Sequence, residues 1–215
     1  MAITLWGRLS SVNVQKTVWA LEELQLDYEQ INLGGRFGGL DDPAYRAMNP
    51  NGKVPTLRDG DLVMWESHAI VRYLAAGYGA GSLWPIDARK RAIVDQWTDW
   101  TATTFQPAWI DVFWLFVRTP VAQHDKPAIG KAMAAALQAY VHLDRRLGQA
   151  PFLGGETLSY ADIVAGASMF RWMTMQIERP PLANLQAWYA RLSARPAFRK
   201  AICVSYEELV GRLGF

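Results

Sequence analysis

Three small polar residues, Ser10, Ser11 and Asn13, stand between a short apolar run and an amphipathic segment. Hydroxyl and carboxamide groups at such a junction can do two things. They can cap a helix, by accepting its first free N–H groups. They can also donate hydrogen bonds to a negatively charged ligand atom drawn to the positive end of the helix. Both uses share one helix end and can coexist, so the junction leaves the choice open.

Two later stretches carry related chemistry. In Gly52-Lys53-Val54-Pro55 a proline opens a strand. Proline cannot donate to a sheet ladder, so it belongs at an edge or an entry point. With a cis Val54–Pro55 bond, the N–H and C=O of Val54 face outward and can pair with an extended peptide, as an added strand does. In Trp65-Glu66-Ser67 an acid and a hydroxyl precede a helical pattern. Ser67 reads as an N-cap. The same helix end can hold a ligand carboxylate through Ser67 and free amides, with Glu66 facing an ammonium group. Receptors for carboxylate and ammonium side by side suit the α-amino-acid end of a ligand.

The elements that must position these groups follow from pattern. Residues 3–6 and 28–33 read as strands around a helix carrying Val14, Val18, Leu21 and Leu24 inward, with Gln15, Lys16, Glu22 and Glu23 outside. A glycine-rich loop at 34–39 and a short helix at 43–48 follow. Strands at 54–57 and 62–64 flank the turn signal Asp59-Gly60, and a helix covers 67–76. The order β-α-β then β-β-α predicts a small mixed sheet with helices on its faces. Residues 76–87 read as a linker. Everything after it reads as helical, in segments 89–117 (kinked at Pro107), 127–147, 159–175, 184–193 and 195–204.

Composition narrows the function. The 215 residues are 51% hydrophobic with a net charge of +2, acids and bases interspersed, which offers no field for nucleic acid or an anionic membrane. The single cysteine, Cys203, excludes an internal disulfide and a Cys-x-x-Cys pair. His68, His124 and His142 are far apart, and no metal motif is present. No signal peptide and no membrane span is expected, which points to the cytoplasm.

Three stretches in order, LWGRLSSVNVQKTVWALEEL, NPNGKVPTLRDGDLVMWESHAIVRYLA and LSYADI, give the chain a resemblance to the cytosolic glutathione transferases. The resemblance spans nearly the whole chain. Family members use tyrosine, serine, cysteine or asparagine before the first helix, and with no tyrosine or cysteine there the chain resembles the bacterial-type members with a serine or asparagine active site. It implies an α+β fold: a thioredoxin-like glutathione-binding domain at 1–80, a linker at 81–88 and an all-helical domain at 89–215. It implies a transferase that joins the glutathione thiolate to an apolar electrophile, acting as a homodimer without a metal. Ser11 or Asn13 would donate to the sulfur. Ser10, Lys53, Val54, Pro55, Glu66 and Ser67 would hold glutathione. Phe105, Trp109 and Phe113, four residues apart, would form an apolar wall for the second substrate, with Trp6, Arg171 and Trp172 as lesser candidates. LSYADI would be an N-capping box of Ser159 and Asp162. Glutathione-dependent peroxidase, isomerase or dehalogenase activity would use the same thiolate. A glutathione-binding protein without turnover is the rival from another class.

Overall fold

A computed structural model describes residues 3–214. Four short strands form one mixed sheet in the order β2-β1-β3-β4. Strand β1 (Ile3–Trp6) is central and fully buried, flanked by parallel β2 (Tyr28–Ile31) and antiparallel β3 (Thr56–Asp59). The β3–β4 hairpin (β4, Leu62–Trp65) turns at Gly60, whose φ of +62° is the left-handed value that favours glycine. Strand β3 starts at Thr56 rather than Val54, because Pro55 has no N–H for the ladder.

Helix α1 (Val12–Glu23) packs against the sheet beside α3 (Ser67–Tyr78), with the short α2 (Pro43–Met48) between them in sequence. Gln15 and Lys16 had been expected on the outside of α1. Both are only 1% exposed. A single apolar stripe predicts one covered face, but α1 is covered on two. The sheet side takes Val14 and Val18. The helical half of the chain, through α7 (Tyr160–Gly166) and α10 (Pro196–Ile202), covers the rest.

That half opens with α4 (Ala88–Trp100), capped by Asp87 through the Lys90 N–H. The same rod continues as a π-turn at Thr101–Phe105, as α5 (Gln106–Val112), and as a second π-turn at Phe113–Arg118. The first π-turn ends just ahead of Pro107, whose missing N–H disrupts the regular ladder. Helices α6 (Lys126–Leu147) and α9 (Ala183–Ser193) complete the bundle. The segment expected as one central helix is two, α7 and α8 (Met169–Thr174), broken at Ala167-Ser168. The Ser168 hydroxyl donates to the Ala165 carbonyl at 3.0 Å and competes with the helical ladder there. Gly166 lets α7 approach closely, since a Cβ there would lie 2.8 Å from Leu192.

The two halves share one continuous apolar core. Polar clamps join them at the surface. Arg195 holds Glu23 with paired hydrogen bonds of 2.7 and 2.6 Å, and Arg72 on α3 reaches Asp95 and Asp99 on α4. At the head of α7 the fully buried Asp162 accepts from the Ser159 N–H and hydroxyl, the Leu153 N–H and the Trp188 indole, at 2.8–3.1 Å. Burial raises the pKa of this acid, and those four hydrogen bonds lower it in opposition. Asp162→Ala would leave buried donors from three segments unpaired. It should lower the unfolding free energy in urea by about 3 kcal/mol or more, and Asp162→Asn, which keeps an acceptor, by less.

Candidate active site

Beyond β1 the chain enters Gly7, with φ +147°. A Cβ there would lie 2.5 Å from a Val14 methyl and 3.1 Å from Val54 Cβ. Glycine therefore lets the start of α1 and the loop before β3 close on each other. A second contact brings in α3: Lys16 Nζ lies 2.8 Å from His68 Nε2. The first turns of α1 thus approach both the loop that carries Val54 and Pro55 and the first turn of α3, which follows Glu66.

Each segment holds its polar groups differently. Ser11 is the N-cap of α1 with extended backbone, and its side chain makes no capping hydrogen bond. The Ser10 hydroxyl is buried without a partner among the described residues, while its carbonyl accepts from Arg171 Nη2 at 2.7 Å. Arg171 is itself enclosed. Burial, with Arg8 and Arg118 nearby, pushes its guanidinium down to about 9, with Tyr206 acting the other way, so it stays charged at neutral pH.

The Val54–Pro55 bond is cis. The loop before it is pinned from below. Lys53 C=O accepts from the Tyr45 hydroxyl at 2.6 Å and from Asn49 Nδ2 at 2.8 Å, and both of those side chains also bond Thr56 Oγ1. Val54 stays half-buried outside the ladder, and among the described residues its N–H and C=O make no hydrogen bond. Lys53 is exposed on the rim. The N-cap of α3 is Glu66, one residue ahead of the expected Ser67. Glu66 is exposed and has φ +72°, a conformation that costs a non-glycine residue about 1–3 kcal/mol. Ser67, buried, is the first residue of the helix.

The expected apolar wall is corrected by burial. Phe105 is 0% exposed and lies between Trp100 and Tyr140, while Trp109 and Phe113 are each 2% exposed. The Arg171 guanidinium covers the Phe113 ring at 4.8 Å. The stripe belongs to the core. Gln106, one residue further on, faces the first half of the chain: its Nε2 donates to Asn13 Oδ1 at 3.2 Å, and its Oε1 accepts from Lys16 Nζ. Lys16 Nζ also donates to Asn13 Oδ1 at 3.0 Å.

The sequence reading missed Lys16, His68 and Gln106 as a group. Burial pushes the Lys16 ammonium down to about 7, against the field of Glu66. Burial, with Lys16 and Arg72 nearby, pushes the His68 imidazole down to about 2, so it is neutral. Among the described residues no group of three or more His, Cys, Asp or Glu side chains is placed to hold a metal ion.

Residues 1–76 match the model of the glutathione S-transferase N-terminal domain, and residues 105–196 that of the C-terminal domain. The chain belongs to the glutathione S-transferase family. It is 41% identical to glutathione S-transferase GstB of Escherichia coli over 204 residues, 94% of this chain and 98% of the relative. The theta class glutathione S-transferase of Xanthomonas axonopodis pv. citri, crystallised with glutathione bound, superposes with a TM-score of 0.92 at 48% identity, covering 95% of this chain and 99% of the other. The apo form of that enzyme superposes with a TM-score of 0.84. The mixed sheet followed by helices is accordingly the thioredoxin-like and helical arrangement of this family.

Lys16 gives this transferase a titration in its core. An unfolded lysine holds its proton up to about 10.5 and the folded one up to about 7. Between those values the unfolded state binds more protons, so stability rises with pH; the cost of the buried ammonium is fully present below the window. Lys16→Met should abolish that rise. Urea titrations should find the wild type gaining on Lys16→Met by up to about 2.7 kcal/mol over two pH units above neutrality.

Proposed function

We propose that this glutathione transferase joins the sulfur of glutathione to an electrophilic carbon of a mostly apolar small molecule, with Ser11 and Asn13 as the sulfur donors. The observation that carries the reading is the uncommitted Ser11 hydroxyl at the N-terminus of α1, on a chain whose Val54 backbone is also unpaired among the described residues.

Each group has a task in that reading. Val54 N–H and C=O pair with the cysteinyl backbone of glutathione as an added strand does. Ser67 and the free amides of α3 take the γ-glutamyl carboxylate, and Glu66 takes its ammonium. Lys53, exposed on the rim, reaches the glycyl carboxylate, and Ser10 supports the loop below the sulfur. A free cysteine thiol has a pKa near 8.5 and is mostly protonated at neutral pH. Hydrogen bonds from Ser11 and Asn13 stabilise the thiolate, and the positive end of α1 and the Arg171 charge act in the same direction. A depression of two units corresponds to about 2.7 kcal/mol. The thiol proton leaves to solvent. The thiolate then forms the sulfur–carbon bond, and the leaving group departs with the electron pair of the bond it breaks.

The second substrate sits where α5 faces α1. Gln106 and Ile110, both half-buried, lie along that edge in place of the buried aromatic stripe. A homodimer and a cytoplasmic setting belong to the same proposal. Among the described residues no helix is long and apolar enough to cross a membrane.

Steady-state kinetics on a model aryl halide, with the thiolate absorbance of bound glutathione titrated in parallel, tests the assignment. Ser11→Ala should raise the bound thiol pKa by one unit or more and lower kcat at least tenfold, and Asn13→Ala should do so to a smaller extent. A wild type that binds glutathione with an unshifted thiol and no turnover would favour a binding protein instead. The double variant Glu66→Ala, Ser67→Ala should lose retention on glutathione-agarose.

A further inference from the structure

We propose that Lys16 and Gln106 are positioning residues: by filling both acceptor sites of the Asn13 side-chain oxygen, they turn its NH2 group toward the arriving sulfur. The inference rests on the glutathione reading above and adds the device that aims one of its donors.

A carboxamide can be turned over at little steric cost, because its oxygen and nitrogen ends have nearly the same shape. Only its neighbours select the orientation. At Asn13 they select strongly. The oxygen has two lone pairs, and both are occupied, by Lys16 Nζ at 3.0 Å and by Gln106 Nε2 at 3.2 Å. The orientation of Gln106 is itself fixed, because its own oxygen accepts from Lys16. Its nitrogen must then face Asn13. The Lys16 ammonium closes the set, since its three N–H groups meet three acceptors: Asn13 Oδ1, Gln106 Oε1 and the neutral His68 Nε2. Turning Asn13 over would place its NH2 group against two donors and break both hydrogen bonds. In the observed arrangement Asn13 Nδ2 makes no hydrogen bond to a described residue, and Asn13 is half-buried beside the Ser11 cap. The N–H pair is therefore left without a partner among the described residues.

Gln106 comes from α5, in the helical half, and Lys16 from α1. The donor is therefore aimed only when the two halves are docked. Neither Lys16 nor Gln106 needs to touch the substrate for this role.

The test measures the bound glutathione thiol pKa, kcat and the KM for glutathione in the wild type, Gln106→Met, Asn13→Ala and the double variant, each checked for native unfolding behaviour. Gln106→Met should raise the thiol pKa by about half a unit to one unit and lower kcat about threefold to tenfold, with KM within twofold. In the Asn13→Ala background the same change should do nothing further. An equal effect in both backgrounds, or none in either, would overturn the proposal. A wild type with an unshifted thiol would instead overturn the glutathione reading beneath it, and that result appears before any variant is made. A measurement on the intact protein needs no substitution: the side-chain amide resonances of Asn13 should shift when glutathione is added, and unchanged resonances would count against the clamp.

Discussion

A lysine ammonium enclosed by protein must find three acceptors, because an unpaired buried charge costs several kcal/mol. Lys16 finds them on three elements. Asn13 lies one turn back on its own helix, His68 lies on the first turn of α3, and Gln106 stands at the start of α5. No two of these elements suffice. The requirement ties the first turns of α1 and α3 together inside the N-terminal half and ties both to the helical half. An apolar side chain at position 16 would fill the space and leave the three elements free to slide. The ammonium makes their relative placement specific and weakens the fold on the acid side of its titration.

Around that anchor the site is built from groups whose hydrogen bonds are turned inward, leaving a few that are not. Tyr45, Asn49 and Thr56 spend their polar atoms on the carbonyl of Lys53 and on one another. Arg171 spends one on the carbonyl of Ser10. Among the groups left over are the Ser10 and Ser11 hydroxyls, Asn13 Nδ2 and the backbone of Val54. Buried polar groups are ordinarily paired, and Asp162 with its four donors is the fully paired case in this chain. The left-handed backbone of Glu66 adds to the contrast. Local strain at Glu66 and unpaired groups at Ser10, Asn13 and Val54 occur together on segments that the sequence singles out for ligand chemistry.

The sequence disclosed this site in part, and the division has a physical basis. Ser11, Val54, Pro55, Glu66 and Ser67 stand out as candidates because turn and helix-end chemistry is local, written in neighbouring residues. The same locality placed β1, the β3–β4 hairpin and most helices within a few residues. Lys16 and Gln15 were misread because a periodicity of 3.6 identifies one apolar face and is silent about a second cover. The break between α7 and α8 escaped for a related reason. A segment apolar all round signals burial, and Ser168 bonding back to Ala165 is a single local choice within it. The pairing of Asn13 with Gln106 spans two halves of the chain, and no spacing rule reaches that far.

The aromatic residues of the long helical rod show how small an error in register changes a functional reading. Phe105, Trp109 and Phe113 recur at helical spacing, which establishes that they share a face and leaves open what that face meets. Gln106 decides it. Its contacts with Asn13 and Lys16 turn the neighbouring edge of the rod, a rotation of one residue, toward the N-terminal half. The large rings then point into the bundle, where Phe105 packs against Trp100 and Tyr140. The π-turns on either side of α5 shift the phase again, so no single heptad wheel describes the rod from end to end. Polar contacts at the domain junction therefore go with which edge of the rod meets the N-terminal half. Gln106, at that junction, touches both Asn13 and Lys16, so the phase of the rod and the placement of the Asn13 side chain depend on one residue.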